Sequence, residues 1–179
     1  MSRIVVRRMS EADLPVILAI YNHYIENTPT TFDLEPQTLE LRRHWFAKIG
    51  PSGRYQAFVA ERDGVVVGWA NTSPFRTKAA YETTVETTIY LAPDAMGLGL
   101  GRMLYRTLLE AISREDVHRA YGVVTMPNDA SVALHVAMGF KLIGEMKEVG
   151  RKFDRFWDVA WFERAISPKM FAEPPTQAP

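Results

Sequence analysis

The chain of 179 residues carries 21 Lys plus Arg against 21 Asp plus Glu, so its formal net charge is zero, and 47% of its residues are apolar. These are the proportions of an ordinary globular domain, and the even charge argues against a nucleic-acid surface. Because the sequence contains no cysteine, a disulfide framework, a thiolate metal site and a cysteine acyl-enzyme are all excluded.

The first elements along the chain are a short strand and an amphipathic helix. An apolar run over residues 4–7 predicts the strand, and Ser10 with Asp13 three positions later is typical of a helix start. We expect the helix to end at Thr28-Pro29. Its apolar face is formed by residues at three- and four-residue spacing: Leu14, Ile17, Leu18, Tyr21 and Ile25.

A second helix and a hairpin come next. The helix is predicted over about residues 37–49, and its apolar face is expected to hold Leu41, Trp45 and Ile49. Two β-rich runs, residues 55–61 and 65–71, flank Asp63-Gly64, a strong signal for a tight turn between antiparallel strands.

The second half of the chain alternates strands and helices, which makes the fold class α/β. Strands are predicted over residues 84–91 and 120–125, and helices over residues 100–114 and 130–138. Two closing strands are predicted over residues 141–149 and 153–164. We predict one domain over residues 1–166, followed by a proline-rich tail over residues 167–179.

The location of the protein is predicted from its hydropathy. No apolar run approaches the roughly 18 residues that span a bilayer, and the N-terminal segment is too short and too charged for a secretory signal. We therefore expect a cytoplasmic protein without membrane contact.

A glycine-rich loop, residues 96–102, lies between a predicted strand and a predicted helix. Unpaired main-chain amides and the positive end of the helix dipole attract phosphate oxygens at such a place. The spacing excludes the common nucleotide motifs, because no Lys-Ser or Lys-Thr follows and Arg102 stands where the dinucleotide pattern requires glycine. A flexible turn with incidental glycines is the alternative.

The loop and three other segments resemble, in order and spacing, the GNAT superfamily of N-acetyltransferases. The segments are residues 84–91, Asn128-Asp129-x-Ser131, and residues 134–140. Tyr21-Asn22-x-Tyr24-Ile25, Thr84-Val85-Glu86 and Gly99-Leu100-Gly101 are most similar to the phosphinothricin and methionine sulfoximine acetyltransferases. The resemblance implies a GNAT fold: a mixed central sheet flanked by helices, with two parallel strands that splay apart to form an acetyl-CoA cleft.

The resemblance also implies acetyl-CoA as co-substrate, with its pyrophosphate on the loop amides and its pantetheine arm against the splayed strand. The implied residues are Thr88, Ile89, Tyr90, Leu91, Gly97, Leu98, Gly99, Leu100, Gly101, Arg102, Asn128 and Ser131. Met96 departs from the Gln or Arg that the family carries at the first loop position, so any side-chain contact there is lost. No metal is expected, because His23, His44 and His118 have no carboxylate at ligand spacing.

Acetyl transfer needs a neutral amine, and an α-amino group with a pKa of about 8 keeps much of its proton at pH 7, so a base is required. Glu86 matches the family's catalytic carboxylate; the alternative is a solvent-facing strand residue. A main-chain N–H at Ile89 or Tyr90 is a candidate for stabilising the oxyanion. His135 is a candidate acid, a partner that orients Glu86, or a helix histidine satisfied by a carbonyl.

The acceptor is expected to be a small amino acid or an analogue, bound through its carboxylate. The resemblance implies Arg76 as the anchor, because Phe75-Arg76 stands where relatives place an aromatic-basic pair beside the acceptor, and a guanidinium holds a carboxylate with two parallel hydrogen bonds. A solvated basic turn is the alternative, and Lys152 is a second candidate anchor. The predicted substrate-binding residues are Phe32, Phe75, Arg76, Tyr81, Val85, Glu86, Thr87 and Phe153.

We therefore interpret the chain as an N-acetyltransferase that works by direct attack in a ternary complex, and the resemblance implies a homodimer. Two other functions stay open at this point. One is an acetyltransferase for a protein N-terminus or a polyamine, and the other is a CoA-binding regulatory module without turnover.

Overall fold

The computed structural model describes residues 2–167, so the predicted tail lies outside the described residues apart from its first position. Within residues 2–167 there are seven strands and four α-helices. The strands are β1 (Ile4–Arg8), β2 (Ala57–Arg62), β3 (Val65–Pro74), β4 (Thr84–Leu91), β5 (Arg119–Met126), β6 (Lys141–Lys152) and β7 (Arg155–Ala165). The helices are α1 (Leu14–Asn27), α2 (Leu39–Phe46), α3 (Leu100–Ile112) and α4 (Asp129–Ala137). None of these helices has the length and hydropathy needed to cross a membrane.

The strands form one mixed sheet in the order β1-β2-β3-β4-β5-β7-β6. All neighbours are antiparallel except β4 and β5, which are parallel. Their pairing joins residues 84–87 to residues 119–122 and then stops. Beyond that point β4 pairs with β3 and β5 pairs with β7, so the two strands diverge. The predicted mixed sheet with a splayed parallel pair is confirmed.

Local sequence signals explain where several elements begin and turn. Ser10 and Asp13 form a reciprocal capping box, which leads through a short 3-10 turn into α1. The β2–β3 hairpin turns at Asp63 and Gly64, which both have positive φ angles of 53° and 83°. Asp-Gly tolerates this backbone, so the predicted hairpin is confirmed.

Hydrophobic cores lie on both faces of the sheet. Buried residues of α3, including Leu104, Tyr105 and Leu108, cover one face and pack with Val85 of β4. On the other face, Leu14 and Ile17 of α1 pack with the buried indole of Trp69 on β3. The sheet is thus enclosed between helices, as its element order predicts.

Helix α2 differs from the prediction. It is shorter than residues 37–49, and Leu41 on its predicted apolar face is 57% exposed, whereas the side chain of Arg42 is only 5% exposed. The guanidinium takes the inward position because it lies over the rings of Tyr21, Trp45 and Trp69, whose faces attract a cation.

Candidate active site

A cavity of 620 Å³ opens where β4 and β5 diverge. Strand β5 contributes residues 123–125 to its wall. Five of the predicted cofactor residues line it: Thr88, Ile89, Tyr90, Asn128 and Ser131. Leu91 does not: its side chain packs against the core, and its carbonyl accepts a hydrogen bond from the Tyr24 hydroxyl at 2.7 Å.

The glycine loop lies between the end of β4 and the start of α3. Gly97 and Gly99 both have φ angles of 78°, and Gly99 is the N-cap of the helix. Within the described part of the chain, the amides of residues 98–101 donate to no acceptor. A turn of this kind with free amides at a helix start suits an anion such as a pyrophosphate. Met96 and Leu98 are exposed at its outer side.

Asn128 is the N-cap of α4 and faces the same cleft. Its Oδ1 accepts a hydrogen bond from the Ser131 amide at 3.1 Å, which fixes the orientation of the side chain. The carboxamide N–H groups of Asn128 are therefore the part that remains available to a ligand in the cavity.

Glu86 reaches the cavity from β4, in register with Ser73 of β3. Burial raises the pKa of its carboxyl group, and the positive charge of Arg76 acts in the opposite direction. A carboxylate with a raised pKa is a stronger base than one in water, which suits removal of a proton from an ammonium group.

His135 is only 3% exposed, although it borders the cavity. Its Nδ1 donates to the carbonyl of Ser131 at 2.8 Å, and its ring stacks on Phe162 and lies against the backbone of Gly122. Burial lowers the pKa of the imidazole, so the ring is neutral near pH 7. This geometry matches the helix histidine satisfied by a carbonyl, and among residues 2–167 no hydrogen bond joins His135 to Glu86.

The cavity extends from the cleft towards α1, α2 and the segment of residues 28–38 that connects them. Of the predicted substrate-binding residues, Phe32, Glu86 and Thr87 line it. Most of the other wall residues were not predicted, and they include Tyr21, Thr31, Asp33, Arg42, Trp69 and Asn71. The spacing of Arg42 and Trp45, three residues apart on one helix face, was the available signal, because a cation and an indole so placed share a surface.

Five predicted substrate-binding residues do not line the cavity: Phe75, Arg76, Tyr81, Val85 and Phe153. The prediction for Val85 is wrong, because its side chain is fully buried in the core beneath α3. Phe75 stacks on Tyr121 and contacts Tyr81 edge-on, so these aromatic rings form a cluster outside the cavity wall. Phe153 is exposed at the tip of the β6–β7 hairpin.

The two predicted anchors differ in their surroundings. Arg76 is exposed, and its guanidinium lies over the Phe75 ring, close enough to Glu86 for its charge to lower that residue's pKa. Lys152 is buried, and its Nζ donates to the carbonyl of Thr31 at 2.8 Å. Lys152 therefore ties the β6–β7 hairpin to the cavity wall, which is a structural contact.

A metal centre has no support in the geometry. Among residues 2–167 there is no group of three or more His, Asp or Glu side chains placed to hold a metal ion.

Comparison with known proteins gives a consistent result. A model of the acetyltransferase (GNAT) family matches residues 17–140. The chain is 48% identical over 163 residues to a phosphinothricin N-acetyltransferase of Streptomyces coelicolor, covering 90% of this chain and 95% of the relative. It is 32% identical over 163 residues to the L-methionine sulfoximine/L-methionine sulfone acetyltransferase of Pseudomonas aeruginosa, covering 91% and 95%.

Solved structures agree with these relatives. The phosphinothricin acetyltransferase of Sinorhizobium meliloti in complex with acetyl-CoA superposes with a TM-score of 0.85 at 33% identity, covering 97% of this chain and 94% of that one. An acetyltransferase of Salmonella typhimurium with its cofactor acetyl-CoA gives a TM-score of 0.86 at 28% identity, covering 98% and 99%.

Proposed function

Because the chain belongs to the acetyltransferase (GNAT) family and is an acetyl-CoA-dependent N-acetyltransferase, we propose that its acceptor is the amino group of a small amino acid or an analogue of the phosphinothricin or methionine sulfoximine type. One observation carries the proposal: a partly buried carboxylate, Glu86, shares a cavity with the splayed edge of β4.

Donor binding is assigned to main-chain groups. The amides of residues 98–101 receive the diphosphate of acetyl-CoA, and the unpaired edge of β4 beyond Thr87 receives the pantetheine arm. Asn128 donates to the arm from the opposite wall. Amide contacts do not depend on the side chain at Met96, so the departure from the family pattern leaves them intact.

The reaction follows from the position of Glu86. Its carboxylate accepts a proton from the ammonium group of the acceptor, directly or through one water, and the neutral amine attacks the thioester carbonyl. The N–C bond forms and the C–S bond breaks within one ternary complex, while a main-chain N–H at Ile89 or Tyr90 stabilises the oxyanion. The nitrogen releases its second proton to the departing thiolate or to water, which leaves the amide and free CoA. A thiolate with a parent thiol pKa near 8.5 leaves without an acid, so the buried His135 is not required as one.

Arg76 is the proposed partner of the acceptor's α-carboxylate. Its charge acts on Glu86, which places it near the amine end of the acceptor, and the α-carboxylate is separated from the amine by one carbon atom. A basic residue at this end repels a polyamine, so the arrangement favours an amino acid over that alternative acceptor.

The proposal includes a homodimer, which rests on the exposed edge of the sheet. Strand β6 pairs with β7 and has no strand on its other side among residues 2–167. Its exposed apolar side chains are Leu142, Ile143, Met146 and Val149. An apolar edge of this kind is stabilised when a second copy covers it. Light scattering of the pure protein gives the mass that tests this, and the cytoplasmic location stays a prediction.

The deciding experiment follows free thiol release from acetyl-CoA with a panel of acceptors. We expect release with phosphinothricin, methionine sulfoximine and methionine sulfone, and none with a polyamine or with an amino acid whose α-amino group is blocked. Calorimetry with CoA separates the alternatives: binding without turnover on any acceptor indicates a regulatory module, and absence of binding removes the proposed donor site.

A further inference from the structure

Arg42 is a buried cation whose side chain makes no hydrogen bond or ion pair in the described part of the chain. Its Nε and Nη2 are buried and donate to no acceptor among residues 2–167, and none of the ion pairs found there includes it. Asp33 acts on Arg42 through its charge, but its Oδ2 accepts from Tyr21 and Gln37 instead. Because an unpaired charge is costly to bury, such a group is expected to have a partner when the protein works.

Aromatic rings surround the guanidinium of Arg42 but supply no oxygen acceptor for its N–H groups. The guanidinium carbon lies 4.5 Å from the centre of the Tyr21 ring, 4.9 Å from that of Trp45 and 5.8 Å from that of Trp69. Ring faces attract a cation, but they offer no oxygen to the N–H groups in the guanidinium plane. Arg42 lines the cavity that contains Glu86, and its Nη1 is the guanidinium nitrogen that is not among the buried ones, so a ligand in that cavity is the available source of an acceptor oxygen.

Strand geometry decides which end of a ligand reaches Arg42. Trp69, over which Arg42 lies, is in register with Tyr90 of β4, and Glu86 is four residues earlier on the same face of that strand. A rise of 3.3 Å per residue puts about 13 Å between the two backbone positions. In the proposed function, the amine of the acceptor lies at Glu86 and its α-carboxylate lies near Arg76. Only the far end of the acceptor's side chain can then reach Arg42.

We propose that Arg42 is the specificity-determining residue of the acceptor site, binding the terminal oxygen atoms of the acceptor's side chain. The favoured acceptors are then amino acids whose side chain ends in an anionic oxo acid, a phosphinate or a carboxylate, which a guanidinium binds with two charge-assisted hydrogen bonds. A neutral oxo group such as a sulfone accepts weaker bonds, and an apolar terminus accepts none. This inference rests on the proposed function, because it assumes that the amine lies at Glu86.

The test compares acceptors of similar length that differ at the terminus: phosphinothricin, methionine sulfone and norleucine. Arg42→Met removes the charge but keeps a long apolar side chain among the rings, so the fold is expected to persist. We expect the KM for phosphinothricin to rise about 10- to 100-fold, the KM for methionine sulfone to rise less, and the KM for norleucine to stay unchanged. Equal changes for all three acceptors would show that Arg42 only holds the aromatic rings, and would overturn the proposal.

The matched control is Arg43→Met on the same helix. Arg43 is exposed and pairs with Glu11 on the surface, so this variant should leave all three KM values unchanged. If Arg42→Met does not fold, Arg42→Lys replaces it in the test, because lysine keeps the positive charge but lacks the planar guanidinium. In this variant the KM for phosphinothricin should still rise more than the KM for norleucine.

A binding experiment separates this inference from the proposed function. Phosphinothricin and norleucine are titrated calorimetrically into CoA-saturated protein, wild type and Arg42→Met. If the wild type acetylates none of the acceptors, the proposed function is wrong. The calorimetric titration then still shows whether Arg42 contributes to binding of the acceptor. A preference for phosphinothricin that the variant abolishes supports the subsite; no preference in the wild type refutes it.

Discussion

The imidazole of His135 lies directly against the α-carbon of Gly122, so closely that a side-chain carbon on Gly122 would occupy the position of the ring. Gly122 is the last residue of β5 that pairs with β4, and Thr87 is its partner. The ring therefore packs at the point where the two strands part. Its place is fixed by the hydrogen bond to Ser131 and by the stack on Phe162.

Gly122→Ala should destabilise the fold. The added methyl group forces the buried ring of His135 to move, and overpacking of this kind costs about 1–3 kcal/mol. Thermal or urea unfolding measures the loss. Lys48→Ala is the control, because the side chain of Lys48 is exposed and makes no hydrogen bond or ion pair among residues 2–167, so its loss should cost nothing measurable. Equal stability of the two variants would show that the contact with His135 is not tight.

Glu86→Gln should lower kcat about 10²-fold or more near neutral pH, because the amide cannot accept the proton of the ammonium group. The KM for acetyl-CoA should change little, since donor binding is assigned to main-chain amides. Glu82→Gln is a matched control: Glu82 is exposed and pairs with Arg54 on the surface. Full activity of Glu86→Gln with an unaltered pH profile would remove Glu86 from the mechanism.

Arg76→Gln should shift the acid side of the pH profile. The positive charge of Arg76 lowers the pKa of Glu86 against the effect of burial, so its removal lets that pKa rise. Glu86 is a base only above its pKa; kcat/KM should therefore begin to fall at a higher pH in the variant than in the wild type. Arg106→Gln, on the exposed surface of α3, should leave the profile in place. A profile that moves towards lower pH, or does not move, contradicts the proposed coupling.

Loss of Arg76 should also weaken acceptors selectively. If Arg76 holds the α-carboxylate, Arg76→Gln raises the KM of an amino acid far more than that of its decarboxylated amine. Steady-state kinetics with such a pair checks this. An equal rise for both compounds would mean that Arg76 acts only on Glu86.

Gly101→Val should raise the KM for acetyl-CoA at least about 10-fold, as loss of charge-assisted hydrogen bonds does. A Cβ at this position meets Leu134 at 3.4 Å and Leu91 at 3.6 Å, so the larger side chain pushes the start of α3 away from the end of β4 and displaces the loop amides. The KM of the acceptor should stay the same. Unchanged donor kinetics in Gly101→Val would exclude the loop from the donor site.

Local sequence alone determined the order of the elements and the position of the main functional motifs. The Asp63-Gly64 turn, the capping box at Ser10 and the glycine loop before α3 each depend on backbone preferences of adjacent residues, and the structure contains all three. The role of Glu86 was predicted from the resemblance of its strand and the neighbouring motifs to the family, and these lie within a short stretch of chain.

Tertiary packing decided what surrounds each of these residues. Val85 and Glu86 are neighbours in sequence, but the alternation of β4 sends one into the core beneath α3 and the other into the cavity. Leu41 was expected on the buried face of α2 but is exposed, and Arg42 beside it is buried, because aromatic rings from α1 and β3 meet α2 on the side of the guanidinium. The acceptor end of the cavity is built from segments far apart in the chain, and such long-range contacts have no local signal in the sequence. The physical reason is that the burial of a side chain depends on which surfaces meet. Only the folded chain brings those surfaces together.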